Sequence, residues 1–416
     1  MKEKLEITNF VGIEHWVVEL NSINILIGPQ ASGKSVTAKL FYFFKSVFLV
    51  LKGGEEITFY KLLLERKFKA YFPVDSWGEE VFEIKYIIND FWIEIKRGVK
   101  SSKLNISFSD ELKSVFQRYN EFSEKVKLGV EELDIPNVGL LQSEVKARTL
   151  FFSEFREKYD TILTAEQIFI PAGRSFFANL QSNIFTLLSG NQDFDPILLE
   201  FGSLYEKIRS VRRVSLLPND VEYYKSLEEL SNNILHGRYK KQNGKDFLVH
   251  EHGRGVYINF ASSGQQEVLP LVLFFKSIMS KRVSLAGEIV VYIEEPEAHL
   301  FPQSQKSIVE ALALLANVST AKFQFIITTH SPYILSAFNN LIEAGNVLEE
   351  FPDKQKKLFE IVDEKTILRY EDVRAYSLKD GHCELIMDDK MKLISPTVLD
   401  EVSNDISVQF GKLLDL

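Results

Sequence analysis

The sequence predicts an α/β fold with a mixed sheet, an antiparallel β meander and a helical lobe. Three observations predict it. Apolar runs at Ile23–Ile27, Glu288 to Ile293 and Phe325 to Thr329 each end in a polar turn that leads toward a helical stretch, the alternation expected of parallel strands joined by helices. Phe82 to Lys96 alternates apolar and polar residues and is rich in Ile, Tyr, Phe and Trp, and Leu104–Phe108 continues in that style, as an antiparallel meander does. From Asp110 to about residue 246 the pattern is mainly helical and charged.

The first apolar run carries the most informative stretch. It leads into Gly28-Pro29-Gln30-Ala31-Ser32-Gly33-Lys34-Ser35, whose Gly-x-x-x-x-Gly-Lys-Ser spacing is the full P-loop pattern. The strand before it and a helix expected from Val36 to Lys52 supply the context the motif requires. Gly28 and Gly33 let backbone N–H groups turn inward around a phosphate, and the helix N-terminus adds partial positive charge. Lys34 is expected to reach the β- and γ-phosphates, and the Ser35 hydroxyl to ligate Mg²⁺. Alone, the loop predicts a nucleoside triphosphate ligand and nothing narrower.

Composition bounds the rest. The chain has 416 residues, 45% hydrophobic and 26% charged, which suits a soluble protein of two or three domains or one elaborated α/β domain. Cys383 is the only cysteine, so no intramolecular disulfide can form, and a spectator thiol in a reducing cytoplasm is expected. Met1-Lys2-Glu3-Lys4 does not open a signal peptide, and Leu40 to Leu51 is interrupted by Lys45 and too short to cross a bilayer; a cytoplasmic protein with no membrane partner is expected. The net charge of −9 argues against a globally basic nucleic-acid coat but leaves room for local clusters. Two such clusters are Arg209, Arg212 and Arg213, and Arg238, Lys240, Lys241 and Lys245; each reads first as a solvated face.

Taken in order, Leu5 to Phe10 and Trp16 to Leu20 read as strands around Val11-Gly12-Ile13. Gly53-Gly54 is a break. Helices are expected over Glu111 to Val130 and Ser143 to Leu163, then from Phe176 to about Leu188, Ile197 to Val214 and Asp220 to Leu235. Between them Gln167 to Pro171 is a short strand ending at Ala172-Gly173-Arg174, where the arginine could reach phosphate, a partner's carboxylate or a structural ion pair. Gly237 to Lys245 reads as a polar turn, and Phe247–Val249 with Gly255 to Phe260 as a hairpin. The expected division is a discontinuous core of 1–109 and 247–345, a helical lobe of 110–246 and a small C-terminal region of 346–416.

Three further motifs follow the P-loop. Ser262-Ser263-Gly264-Gln265-Gln266-Glu267 precedes a helix, where Ser and Gly amides can bind an anion. Glu294-Glu295-Pro296 ends an apolar strand, the position from which a P-loop enzyme holds Mg²⁺ and polarises a water. Thr328-Thr329-His330-Ser331-Pro332 ends the next strand, one helix later, and delivers a histidine to the end of a sheet where ligands bind.

In this order the motifs resemble the ATP-binding-cassette ATPases, and more narrowly the SMC/RecF/OLD-type ATPase heads. The matching residues are Asn9-Phe10, the P-loop, Ser262 to Gln266, Glu294-Glu295-Pro296-Glu297-Ala298-His299-Leu300-Phe301-Pro302 and Thr328 to Pro332. The Glu-Pro-Glu-Ala-His-Leu stretch resembles the OLD-like AAA-type ATPases. The resemblance covers 1–51 and about 255–340. It implies an ABC-type head that uses ATP and Mg²⁺. Ser263, Gly264 and Gln265 then fall in the signature motif that touches nucleotide held by the other subunit. Glu294 takes the Walker B position, Glu295 the catalytic glutamate, Ala298-His299-Leu300 the D-loop and His330 the switch histidine. Glu294 replaces the commoner Asp but keeps the charge. Gln142 and Gln167 are the candidates for the Q-loop.

The resemblance also implies a homodimer closed by sandwiched ATP, open to higher assembly, that regulates a separate effector protein or a nucleic-acid transaction, with anti-phage defence as one setting. An ATP-dependent nuclease subunit of OLD type and a repair ATPase of RecF type are the alternatives. A transporter motor is disfavoured because Gln265 stands where transporters place a second signature glycine. OLD nucleases carry a Toprim module, but the acidic pairs Asp388-Asp389 and Asp400-Glu401 follow no clear apolar strand and read as surface charge, so no built-in nuclease is expected.

Overall fold

In the computed structural model of the chain, residues 3–47, 55–131, 150–151, 165–179, 195–210, 216, 220–280, 288–318, 322–395, 408 and 413 are described. In chain order these residues form β1 (Glu3–Phe10), β2 (Ile13–Glu19), β3 (Ile23–Ile27), α1 (Lys34–Lys45), α2 (Ile57–Tyr71), β4 (Phe82–Ile88), β5 (Phe91–Arg97), β6 (Leu104–Phe108), α3 (Asp110–Glu131), β7 (Glu166–Ile170), α4 (Ser175–Asn179), α5 (Pro196–Ser210) and α6 (Val221–Leu235). There follow β8 (Arg238–Gln242), β9 (Lys245–Val249), β10 (Gly255–Tyr257), α7 (Ser263–Met279), β11 (Glu288–Glu294), α8 (Pro302–Ala316), β12 (Lys322–Thr329), α9 (Pro332–Glu350), β13 (Val373–Lys379), β14 (His382–Leu385), β15 (Met387–Asp388) and β16 (Leu393–Ile394).

The central sheet has the order β14-β13-β3-β12-β11-β7. Strands β13, β3, β12, β11 and β7 are parallel, and β14 pairs antiparallel with β13 at one edge, so the sheet is mixed, as expected. Because side chains alternate across a strand, each of the parallel strands feeds two cores. Ile25, Val291, Ile293, Phe325 and Ile327 face a helical layer built from α5 to α9. Leu26, Val290, Tyr292 and Ile326 face α1, α2 and the antiparallel sheet β2-β1-β4-β5-β6. Strands buried on both faces read as continuous apolar runs, and β3 is buried at every position. The antiparallel sheet has one covered face, and β4 and β5 alternate accordingly.

Helix α1 lies between the two sheets. Phe41, Phe43 and Phe44 are fully buried; the Phe44 ring stacks on Tyr86 at 5.5 Å, and Phe43 meets Phe68 edge-on at 5.3 Å. Lys45, carried deep into this core, is ion-paired to the equally buried Glu3 at 2.7 Å and donates to Gln324 at 2.6 Å. Tyr86 donates to the same Glu3 at 2.9 Å. A buried ion pair persists only when its remaining polar atoms are satisfied in this way.

Sheet membership crosses the expected division of the chain. Strand β7, inside 110–246, and strands β13 and β14, inside 346–416, belong to the central sheet. Gly237 to Lys245 is not merely a polar turn. Strands β8 and β9 form a hairpin through Asn243 (φ 48°) and Gly244 (φ 77°). That Asn-Gly pair is a hairpin signal legible in the sequence, since both central residues of such a turn need positive φ. Apart from Leu150 and Phe151, which are helical, the helix expected over Ser143 to Leu163 and the ends of those expected beyond Asn179 and Ser210 lie outside the described residues, as does Gly53-Gly54.

Candidate functional site

Because β3, β7, β11, β12 and β13 run parallel, their C-terminal ends share one edge of the sheet, the edge where ligands bind in such sheets. The P-loop leaves β3 there, Glu294-Glu295 leaves β11, His330 leaves β12 and Pro171 to Arg174 leaves β7. Gly33 stands at φ 90° immediately before α1, and Ala31 within the loop is also left-handed at φ 60°. The loop is braced from behind by parts of the chain remote in sequence. A Cβ on Gly28 would lie 2.0 Å from the Leu378 carbonyl oxygen, and one on Gly33 would lie 2.6 Å from the Trp16 ring. Trp16 is itself anchored by an Nε1 hydrogen bond to the Gly381 carbonyl at 2.7 Å. Pro29, Gln30 and Ala31 are exposed, Ser32 and Gly33 are partly exposed, and Ser35 is exposed in the first turn of α1.

Lys34 is 5% exposed. Its ammonium donates to the Gly28 carbonyl at 2.8 Å and the Pro29 carbonyl at 2.6 Å, and lies 3.4 Å from His330 Nδ1. Burial lowers its pKa from the ordinary value, opposed by the charges of Glu295 and Glu297. His330 Nε2 is 2.9 Å from Glu295 Oε1. A neutral ring protonated at Nε2 satisfies both contacts, accepting from Lys34 and donating to Glu295. Glu295 sits at φ 43°, and its N–H donates to the Thr328 carbonyl at 2.9 Å. A non-glycine residue held left-handed at this point is the kind of local strain that collects at functional sites.

Two residues that sequence reasoning left without a role complete the constellation. Glu297, 8% exposed, accepts from Thr329 Oγ1 and from the His330 N–H, each at 2.7 Å, and so fixes the backbone that presents the histidine. Its signal was its place in the Glu-Pro-Glu-Ala-His-Leu stretch. Glu267 on α7 accepts from the backbone N–H of Arg174 at 2.7 Å and of Ser175 at 2.8 Å; the sequence placed it at the end of the Ser262 to Glu267 stretch but gave it no role. Arg174 is fully buried. Its guanidinium donates to the carbonyls of Pro171, Glu294, Glu295 and Glu267. Of the roles open to it, the structure realises the structural one, with Glu267 as its ion-pair partner at 3.5 Å.

The residues present fit Mg²⁺ held together with phosphate. Glu294 is 8% exposed; its Oε2 accepts from the Ala172 N–H at 3.2 Å, while its Oε1 is buried without a hydrogen-bond partner. An orphaned buried carboxylate oxygen is costly unless a cation completes it. Among the described residues no group of three or more His, Cys, Asp or Glu side chains could hold a metal alone. Mg²⁺ commonly takes one carboxylate and completes its shell with phosphate and water. At this edge Glu294 offers such an unpartnered carboxylate oxygen.

Ser263 is exposed at the start of α7, and Gly264 is packed so closely on the turn after β11 that a Cβ there would lie 2.5 Å from the His299 carbonyl oxygen. Ser262 caps α7 in a capping box with Gln265. The Gln265 amide also donates to the Leu235 carbonyl at 2.8 Å, so its side chain is committed within the fold. Gln167 bonds Tyr292 near the start of β7, at the opposite end of the sheet from Glu294, which does not suit a Q-loop residue; Gln142 lies outside the described residues. Asp388 accepts from the N–H groups of Lys390 and Met391, and Asp389 from the Tyr370 hydroxyl; Asp400-Glu401 lies outside the described residues.

With this geometry in hand, the AAA ATPase domain family matches residues 1–335, most of the chain. The chain belongs to that family. No curated protein matches it. Among solved structures, this AAA ATPase domain is similar to the SMC head domain from Thermotoga maritima, at 11% identity and a TM-score of 0.37, over 92% of this chain and 98% of the other. It is also similar to the Smc head domain with an extended coiled coil bound to the C-terminal domain of ScpA, derived from Pyrococcus furiosus, at 13% identity and a TM-score of 0.38, over 98% and 99%. No described helix of the domain is long and apolar enough to cross a membrane. Of the basic clusters, Arg209 is ion-paired to Asp246 at 2.5 Å. Arg212 and Arg213 lie outside the described residues. Arg238, Lys240 and Lys241 are exposed on β8.

Proposed function

We propose that the protein binds ATP with Mg²⁺, hydrolyses it to ADP and phosphate, and works as a nucleotide-driven dimer that regulates an effector partner. The observation that carries this reading is the convergence of Lys34, Glu294 and the Glu295–His330 pair, 2.9 Å apart, on one sheet edge. Lys34 and the loop amides bind the phosphates. Glu295 polarises the attacking water, and His330 orients Glu295 and senses the γ-phosphate. Mg²⁺, held from Ser35 and Glu294, supplies charge neutralisation on the phosphates.

The dimer is supported by the signature residue Ser263 being exposed and by what flanks it. Phe260 beside the signature is 82% exposed, Phe301 beside the D-loop 76% and Tyr333 beyond His330 55%. Large exposed side chains on three adjoining functional loops suit a surface that a second copy covers. The effector, the cytoplasmic setting and a role in anti-phage defence rest on the family resemblance. Glu295→Gln tests the core of the reading. With saturating ATP it is expected to have dimer mass by light scattering and to turn over at least about 100-fold more slowly than wild type. A monomer refutes the shared site, and wild-type turnover refutes the catalytic assignment.

A nucleic-acid transaction is the second reading, favoured by the exposed basic face of β8. Replacing Arg238, Lys240 and Lys241 by glutamate is expected to weaken binding to duplex DNA and to flatten its salt dependence. Unaltered binding removes the hairpin from consideration.

A further inference from the structure

Arg174 occupies a position that neither phosphate binding nor simple packing accounts for. It is fully buried, yet it is hydrogen-bonded on every side. Its Nη1 donates to the Glu294 carbonyl at 2.6 Å and the Pro171 carbonyl at 3.0 Å, and its Nη2 to the Glu295 carbonyl at 2.9 Å. These contacts hold the two peptide units from which both functional carboxylates of the β11 turn project. They add to the Thr328 hydrogen bond that holds Glu295 in the left-handed region at φ 43°.

The other side of Arg174 belongs to a different element. Its Nε donates to the Glu267 carbonyl at 3.1 Å, and its own backbone N–H donates to the Glu267 carboxylate at 2.7 Å. Glu267 lies four residues beyond Ser263, one turn into α7 and on the same helix face. The helix that begins with the signature residues is thus joined through one side chain to the turn that aims Glu295 at His330.

We propose that Arg174 and Glu267 form a positioning relay, through which engagement of Ser263 and Gly264 with the nucleotide of the opposite subunit sets the aim of Glu295 in the chain's own site. This rests on the ATPase reading above. The consequence is that a displacement of α7 moves Glu295 without any change in the P-loop, so one site's hydrolysis depends on occupancy of the other.

The test compares ATP turnover, ATP affinity and thermal unfolding of Arg174→Lys, Glu267→Gln and their double variant. Lysine keeps the charge but cannot span four carbonyls with a planar fork. Each single variant is expected to lose turnover by at least about tenfold while KM changes by less than about twofold. The double variant is expected to lose no more than the worse single one, as members of one relay do. Turnover within twofold of wild type in a folded single variant overturns the relay, and so do losses that multiply in the double. Should Arg174→Lys fail to fold, Glu267→Gln carries the measurement, with the added requirement that wild-type turnover depend cooperatively on ATP concentration and that Glu267→Gln lose that dependence; a non-cooperative wild type or a cooperative variant overturns the proposal. If Glu295→Gln turns over like wild type, the ATPase reading itself has failed and the relay falls with it. A wild-type response from the relay variants beside a dead Glu295→Gln condemns the relay alone.

Discussion

At the scale of single residues, the site is a balance of buried charges. Four carboxyl groups, Glu267, Glu294, Glu295 and Glu297, lie around the buried Arg174, and Glu295 and Glu297 also act on Lys34, so acidic groups outnumber the two cations at this sheet edge. That imbalance suits a divalent cation. Lys34 illustrates how function opposes stability. Burial lowers its pKa below 10.5, so charging it costs folding free energy at neutral pH. Its contribution rises with pH from the lowered value toward the ordinary one. Lys34→Ala is therefore expected to reduce ATP affinity by about ten- to a hundredfold while leaving the unfolding midpoint near wild type and removing that part of the alkaline rise. Calorimetric titration with ATP and thermal melts across pH check both halves; ATP affinity equal to wild type would rule out the P-loop assignment. Lys34, Glu294, Glu295 and His330 were legible because each ends or follows a motif with fixed spacing. Glu267 was not, because its partner Arg174 is 93 residues away in sequence, and no local pattern records so long a contact.

At the scale of elements, the P-loop strand is supported by its neighbours more than by its own sequence. Strand β13 pairs with β3 and brings the Leu378 carbonyl to within 2.0 Å of where a Gly28 Cβ would stand. That contact is to backbone and cannot be relieved by a side-chain rotation. Gly28→Ala is expected to destabilise the protein by about 1–3 kcal/mol and to weaken ATP binding, because β13 or the loop must move. An unchanged melting temperature together with unchanged ATP affinity would show that β13 does not back the loop. Most helices and strands were legible from periodicity, and the meander alternates as expected. The β8 strand was obscured by its polarity: four of its five residues are exposed, so no buried face imposed an alternation, and only the Asn243-Gly244 turn betrayed it.

At the scale of the whole molecule, the proposed active unit is a pair of chains with two composite sites. An isologous two-fold places each P-loop against the partner's Ser263 and Gly264, and ATP then stabilises the closed pair because the γ-phosphate meets signature donors only on closure. Ser263→Arg and Lys34→Ala chains are each expected to be inactive alone. Mixed in equal amounts they form heterodimers in which one composite site carries neither lesion, and recovery of up to about a quarter of wild-type turnover is expected. No recovery, with heterodimers demonstrated by differential tagging, would argue that both sites must be intact.

The sequence by itself determined the α/β class, the P-loop, the carboxylate pair and the histidine, because these depend on short-range spacing: a glycine pattern, an apolar run, a strand followed by a charge. It also determined the family, whose motifs stand in a fixed order. Only the tertiary structure decided that β7 and β13 join the central sheet, that Trp16 and Leu378 brace the P-loop, that Arg174 is a buried clamp on carbonyls, and that Glu267 ties α7 to the Glu294-Glu295 turn. Those facts depend on which strands pair and which backbone groups are left needing partners once they have. Pairing between remote segments is set by the global packing of two cores on one sheet, and no local run of residues encodes it.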